Sequence, residues 1–139
     1  DVYWVDYEIA LAYLKEKDAL KVAKLASVFG GNVEAPSFAI TGVRLKPDDI
    51  QLIGKNRNVI KINKEINNQN FTFIKFFSNE EEYNKIIGKS NGFSKNNKKE
   101  IVLDIIAEFD INLFEGGKYL QILIKDYNIV QNNKKEIKF

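Results

Sequence analysis

Lysines and phenylalanines interleave in the middle of this 139-residue chain: Lys61 in one apolar segment, then Phe71, Phe73, Lys75 and Phe77 in the next. An ammonium group neutralises a phosphate, and a flat ring stacks on an unpaired base. The mixture therefore suits a single-stranded polyanion. Lys55 and Arg57 precede the first segment and border the same surface. Lys118 and Tyr119 complete the candidate set. A competing reading has a helix packed over part of this face, with Phe71 or Phe73 buried beneath it. Phe77 and the lysines are expected to be exposed on either reading.

Other chemistry is poorly supplied. The chain has no histidine and no cysteine. That excludes zinc sites, imidazole bases, Ser-His and Cys-His pairs and disulfides. Gly30-Gly31 lacks the spacing of a phosphate-binding glycine loop. Asp48-Asp49 and Glu80-Glu81-Glu82 offer carboxylates, but a turn and a helix start account for them. No catalytic residue, metal ligand or cofactor site is expected in this chain.

Net charge is only +2, yet it is unevenly spread. From Lys46 to Lys99 there are eleven Lys/Arg against six Asp/Glu, and the flanking segments are slightly acidic. A basic middle attracts polyanions. The alternative is that Lys and Asn are abundant for reasons of codon usage. Hydrophobic residues make up 45% and charged residues 29% of the chain, as in globular domains. No apolar run is long enough to span a membrane, and no basic-then-apolar leader opens the sequence. A cytoplasmic setting is expected. The start at Asp1 reads as a piece of a longer protein.

The elements that must position these residues follow from periodicity. Tyr3, Val5, Tyr7 and Ile9 alternate as in a strand, although Asp6 is also a possible helix cap. Residues 18–26 are helical, and Phe29-Gly30-Gly31-Asn32 ends the helix. The period then becomes two. Residues 38–45 read as a first strand, with a turn at 46–49. Residues 50–53 and 59–66 read as a second strand interrupted by the loop 54–58. After a turn at 67–70, residues 71–77 form a third strand. On this phase Ile60, Ile62, Ile74 and Phe76 point inward, and Lys61, Phe71, Phe73, Lys75 and Phe77 point outward. A helix over 80–87 stops at Gly88. A polar loop over 89–99, a strand over 101–113, a turn at 115–117 and a strand over 118–130 complete the order. Three strands, a helix and two strands are the element order of an OB-fold. The expected class is mainly β (α+β): a five-stranded Greek-key barrel over 37–130, a strand-and-helix extension over 1–36, and a polar tail over 131–139.

Several segments also resemble, in order and spacing, the C-terminal part of RecJ-type single-strand-specific exonucleases. Val28-Phe29-Gly30-Gly31-Asn32 with Pro36-Ser37-Phe38 is similar to that family's Pro-Phe-Gly turn and Pro-x-Phe segment. Ile53-Gly54-Lys55 and Val59-Ile60-Lys61 match its Ile-Gly-Lys loop and His-Leu-Lys strand. Ile74-Lys75-Phe76-Phe77 answers Ile-Ala-Phe-Asn. Asp110–Gly116 and Leu120–Asp126 resemble its Asn-x-Trp-x-Gly hairpin and Gln-Leu-x-Ile-x-Asp strand, and Val5–Ile9 its short acidic strand. Val28, Val33, Val59 and Phe114 depart from the family's proline, asparagine, histidine and tryptophan. The resemblance implies a parent enzyme that degrades single-stranded DNA from the 5′ end. Magnesium or manganese would be held by Asp and His motifs in a separate N-terminal core. This chain would be a monomeric module that holds the strand and contacts that core. The competing expectation is an OB-fold for protein interaction or scaffolding.

Overall fold

The computed structural model describes residues 5–29, 35–90 and 100–130. Its elements are β1 (Tyr7–Ala10), α1 (Glu16–Phe29), β2 (Phe38–Leu45), β3 (Ile50–Ile53), β4 (Val59–Ile66), β5 (Gln69–Lys75), α2 (Glu80–Ser90), β6 (Ile101–Phe114) and β7 (Gly117–Ile129). Both helices are longer than their periodicity predicts, and α2 continues past Gly88. Residues 50–66 form a hairpin, not one interrupted strand. Asp6 caps no helix: its Oδ2 accepts from the Ser37 N–H at 2.8 Å and fastens β1 beside β2. Tyr3, the glycine pair at 30–31, residues 91–99 of the polar loop and the tail from 131 lie outside the described residues.

The strands form one sheet in the order β1-β2-β6-β7-β5-β4-β3. β2 and β3 lie five strand spacings apart in that order, ~24 Å if the sheet were flat. The chain from Leu45 to Ile50 reaches at most ~18 Å, and the 3-10 turn Pro47–Asp49 shortens it. The sheet must therefore curl until its second and last strands approach. With β2 and β3 taken as two halves of one long strand, the order is that of an OB-fold, including its parallel pair, here β5 with β7. Among the described residues no ladder joins β3 to β2 or β1, so hydrogen bonding does not seal the curl into a closed ring.

Curling gives the sheet an inner side, filled by Ile40, Val43, Leu45, Ile60, Ile62, Phe71, Phe73, Ile101, Leu103, Ile105 and Ile122. Two irregularities keep apolar residues inward where strict alternation would expose them. In β2 the register shifts between Ile40 and Val43, with Gly42 at φ +66 and its N–H donating to Asp104 Oδ1 at 3.0 Å. Phe38 and Ile40 before the shift, and Val43 and Leu45 after it, are all buried. In β7 the extra residue is Lys125, between Ile124 opposite Ala107 and Asp126 opposite Ile106. Beyond it Tyr127 pairs with Ile105 and turns to the inner side.

Tight hairpins fix the remaining registers. Asn67 and Asn68 (φ +53 and +62) join β4 to β5, and Glu115 and Gly116 (φ +48 and +81) join β6 to β7. Both are two-residue loops with two left-handed residues, which match the twist of the flanking strands. The first hairpin also anchors the N-terminal elements. The Glu16 N–H donates to Gln69 Oε1 at 2.7 Å, Gln69 Nε2 donates to the Leu14 carbonyl, and Asn67 Nδ2 donates to the Ala12 carbonyl. Leu11, Leu14, Ala19 and Ala23 join the strands' core, as does Ile86 of α2.

Phe73 is fully buried opposite Ile62, which corrects its expected outward orientation. Phe73→Ala is expected to cost about 3–5 kcal/mol in a urea titration, the range for truncating a core phenylalanine. A loss below about 1 kcal/mol would place the ring on the surface.

Candidate nucleic-acid interface

The outer side of the curled sheet carries a groove of about 250 Å³ across β4, β5, β7 and the β6–β7 hairpin. Lys61 and Thr72 line one wall, Asn112, Phe114 and Tyr119 the other, and Gln121 lies between them. Strand phase brings them together. Lys61 lies opposite Ile74, out of phase with inward Ile60 and Ile62. Asn112 lies opposite Tyr119, out of phase with the Ile111–Leu120 pair. The parallel register of Phe73 with Ile122 sets Thr72 beside Gln121. Lys61 has no ion-pair partner among the described residues. Phe114 and Tyr119 are 60% and 55% exposed. Gly117 makes room for Tyr119: a Cβ there would come within 2.8 Å of the ring. The groove thus offers a cation, two flat rings and amide and hydroxyl groups in one concave surface. Asp110, exposed opposite Gln121, sets an anionic limit on the β6 side.

The expected face is only partly assembled. Lys61 and Tyr119 share the groove. Lys75 does not, because it pairs with Ile60 across the ladder and so lies on the inner side, at the end of the sheet. Phe73 lies in the core on that same side. Its burial and that of Phe71 reverse the phase expected for the third strand. Phe76, expected inward, is half exposed. Lys118 is exposed opposite Leu113, on the other side of the hairpin from Tyr119. Lys55 and Arg57 are exposed in the 54–57 turn, and Phe77 is exposed just beyond β5. Phe114, Asn112, Thr72 and Gln121 were not anticipated as site residues. The signal emerges once the two-residue turn at 115–116 is placed: folding the period of two back there sets Asn112, Phe114, Tyr119 and Gln121 on the side opposite Phe109 and Leu120.

Lys75 has a different role. Its Nζ lies 3.2 Å from Glu82 of α2, and the Tyr127 hydroxyl donates to the same carboxylate at 2.7 Å. One carboxylate so ties α2 to both β5 and β7. Burial first, then the Glu82 hydrogen bond and charge, push the Tyr127 hydroxyl well above the usual tyrosine range. Because the folded value is raised, this contribution is complete below about pH 10, the unfolded value, and declines as pH rises towards the folded value. In an absorbance titration of the six tyrosines, one is expected to ionise after the others, and Tyr127→Phe should remove that late step. A late step that survives the substitution would refute the assignment.

Relatives share this chain's sequence over its whole length. YorK of Bacillus subtilis strain 168, named as a candidate prophage SPbeta-derived single-strand DNA-specific exonuclease, is 28% identical over 140 residues, and the phage SPbeta protein of that name matches equally. The chain spans 22% of the length of each. Among solved structures, the mitochondrial single-stranded DNA binding protein Rim1 of S. cerevisiae is similar over 72% of this chain and 100% of that chain (TM-score 0.44, 19% identity). The asparaginyl-tRNA synthetase of Entamoeba histolytica is similar over 94% of this chain and 25% of that chain (TM-score 0.46, 9% identity). The family match is the decisive one: residues 5–126 correspond to the RecJ OB domain, and the chain belongs to that family.

Proposed function

We propose that this chain is the single-stranded-DNA-holding module of a RecJ-type exonuclease and guides the strand towards a catalytic core outside this sequence. The groove carries the proposal. On a RecJ OB domain it joins Lys61 to the exposed rings of Phe114 and Tyr119 across the strands and hairpin that OB-folds use for oligonucleotides. Lys61 would neutralise a phosphate, and the rings would stack on bases of any identity, giving salt-dependent binding with little sequence preference. Degradation from the 5′ end, with magnesium or manganese, would belong to the parent's core. The described residues do not fit a metal: no three histidine, cysteine, aspartate or glutamate side chains converge among them. On this proposal the partners are single-stranded DNA and the rest of the parent protein.

Fluorescence anisotropy with a labelled single strand, at low and physiological salt and against duplex of equal length, tests the reading. Single-strand preference that weakens with salt is expected. Lys61→Ala should flatten the logarithmic salt slope by about 0.7, the value of one phosphate contact on a single strand. Lys75→Ala should leave that slope unchanged, because its ammonium group is engaged by Glu82 on the inner side. No binding at low salt would favour a protein-interaction barrel instead.

Gly117 supplies a separate check. Gly117→Ala should displace the Tyr119 ring and weaken binding about as much as Tyr119→Ala, roughly 5- to 100-fold for one lost stacked base. Full affinity in Gly117→Ala would show that the position of the Tyr119 ring is immaterial.

A further inference from the structure

Phe77 sits where folding alone gives no reason for a phenylalanine. Its side chain is 93% exposed, and its backbone is left-handed at φ +60. Glycine and asparagine adopt that conformation readily, whereas a bulky side chain does so only uphill. The chain thus gains no burial from the ring and accepts strain to hold it outward. The conformation is fixed on the C-terminal side by buried Ser78. Its N–H donates to the Asn58 carbonyl at 2.8 Å, and its Oγ donates to the Lys75 carbonyl at 3.2 Å.

The Asn58 bond ties Phe77 to the 54–58 segment, which carries Lys55 and Arg57. Arg57 is also left-handed (φ +51), and its guanidinium stands 3.8 Å from Glu80 with both side chains mostly exposed. A flat ring held out in water, joined through Ser78 to the segment that carries two cations, is complementary to a nucleotide: the ring to the base, the cations to its phosphate. Glu80 partly neutralises Arg57, so the ring is the main element. An apolar protein side chain would use the ring but not the cations.

This corner lies beyond the Lys61 end of the groove and does not line it. The parallel register of Phe73 with Ile122 sets Tyr119 level with Asn70, and Phe77 lies seven residues further along the chain. Phe77 is thus on the order of 20 Å from Tyr119, and nearer to Lys61, which lies opposite Ile74. We propose that Phe77, with Lys55 and Arg57 in the adjoining turn, is a second base-stacking station, filled only by strands long enough to reach it from the Tyr119 ring. This rests on the DNA-holding reading above and adds to it a dependence on strand length.

The test uses the full 139-residue chain and labelled oligodeoxythymidines of about 4 and about 16 nucleotides, the ends of the range that one OB-fold holds. Phe77→Asn removes the ring and suits the left-handed backbone, so the thermal midpoint should stay level or rise. Affinity for the long strand should fall about ten-fold, as for one lost stacked base, with the short strand changed less than two-fold. Phe77→Trp should restore long-strand binding. Equal losses on both lengths would merge Phe77 with the groove, and no loss on either would remove the station. A lower midpoint with no rescue by tryptophan would make the ring structural. If the unsubstituted chain bound neither length, the DNA-holding reading itself would fall. Long-strand binding that Lys61→Ala weakens and Phe77→Asn leaves intact would overturn the station alone.

Discussion

A strand residue faces one of two sides, and in this sheet the two sides are very unequal. One is sealed by isoleucine, leucine and phenylalanine; the other meets water. The phase of the alternation in each strand therefore decides which side chains build the protein and which are free to meet a ligand. Small features hold that phase: the shift at Gly42, the extra residue Lys125, and two hairpin turns of paired left-handed residues. Slipping β5 by one residue would exchange Phe73 for Thr72 in the core and dismantle the groove and the core together.

How well the sequence discloses this phase varies by strand. In β4 the alternation of Ile60, Lys61, Ile62 and Asn63 admits one solution, and that solution is the observed one. In β6 the series from Ile101 to Phe109 is equally plain. β5 is ambiguous because both phases are apolar: Phe71 and Phe73 on one, Ile74 and Phe76 on the other. Pairing with β4 and β7 decides between them, and those are contacts that local alternation does not encode. The element order and family motifs made the OB-fold readable. The register shifts were not readable, since a glycine in a strand has several explanations and Lys125 looks like any surface lysine. Phe114 and Tyr119 meet only because a hairpin folds back, so their partnership appears once its turn is placed.

Charge counting misleads for a related reason. The basic middle of the chain suggests one cationic face, yet its cations are dispersed over the surface and two are already engaged. Glu82 holds Lys75 and Glu80 stands near Arg57, while elsewhere Glu100 meets Arg44 and Glu108 approaches Lys125. The acidic run that opens α2 complements the helix dipole and also supplies two of these partners. Lys46, Lys55, Lys61, Lys64 and Lys85 have no ion pair among the described residues, and of these Lys61 alone lines the groove. One lysine facing two rings across a groove defines a site better than a surplus of positive charge along the sequence.

The clamp of Gln69 and Asn67 on the N-terminal elements has a consequence for the chain as it is made. Its hydrogen bonds join residues 53 to 55 positions apart, so α1 cannot be anchored until the β4–β5 hairpin exists. At about 5–20 residues per second, a nascent chain waits some 3–10 seconds between presenting α1 and presenting its clamp. During that interval Leu11, Leu14, Ala19 and Ala23 have no core to enter. Within this segment the apolar residues ahead of β2 are made before the strands that cover them, so their time uncovered is set by the rate of synthesis and not by their own sequence.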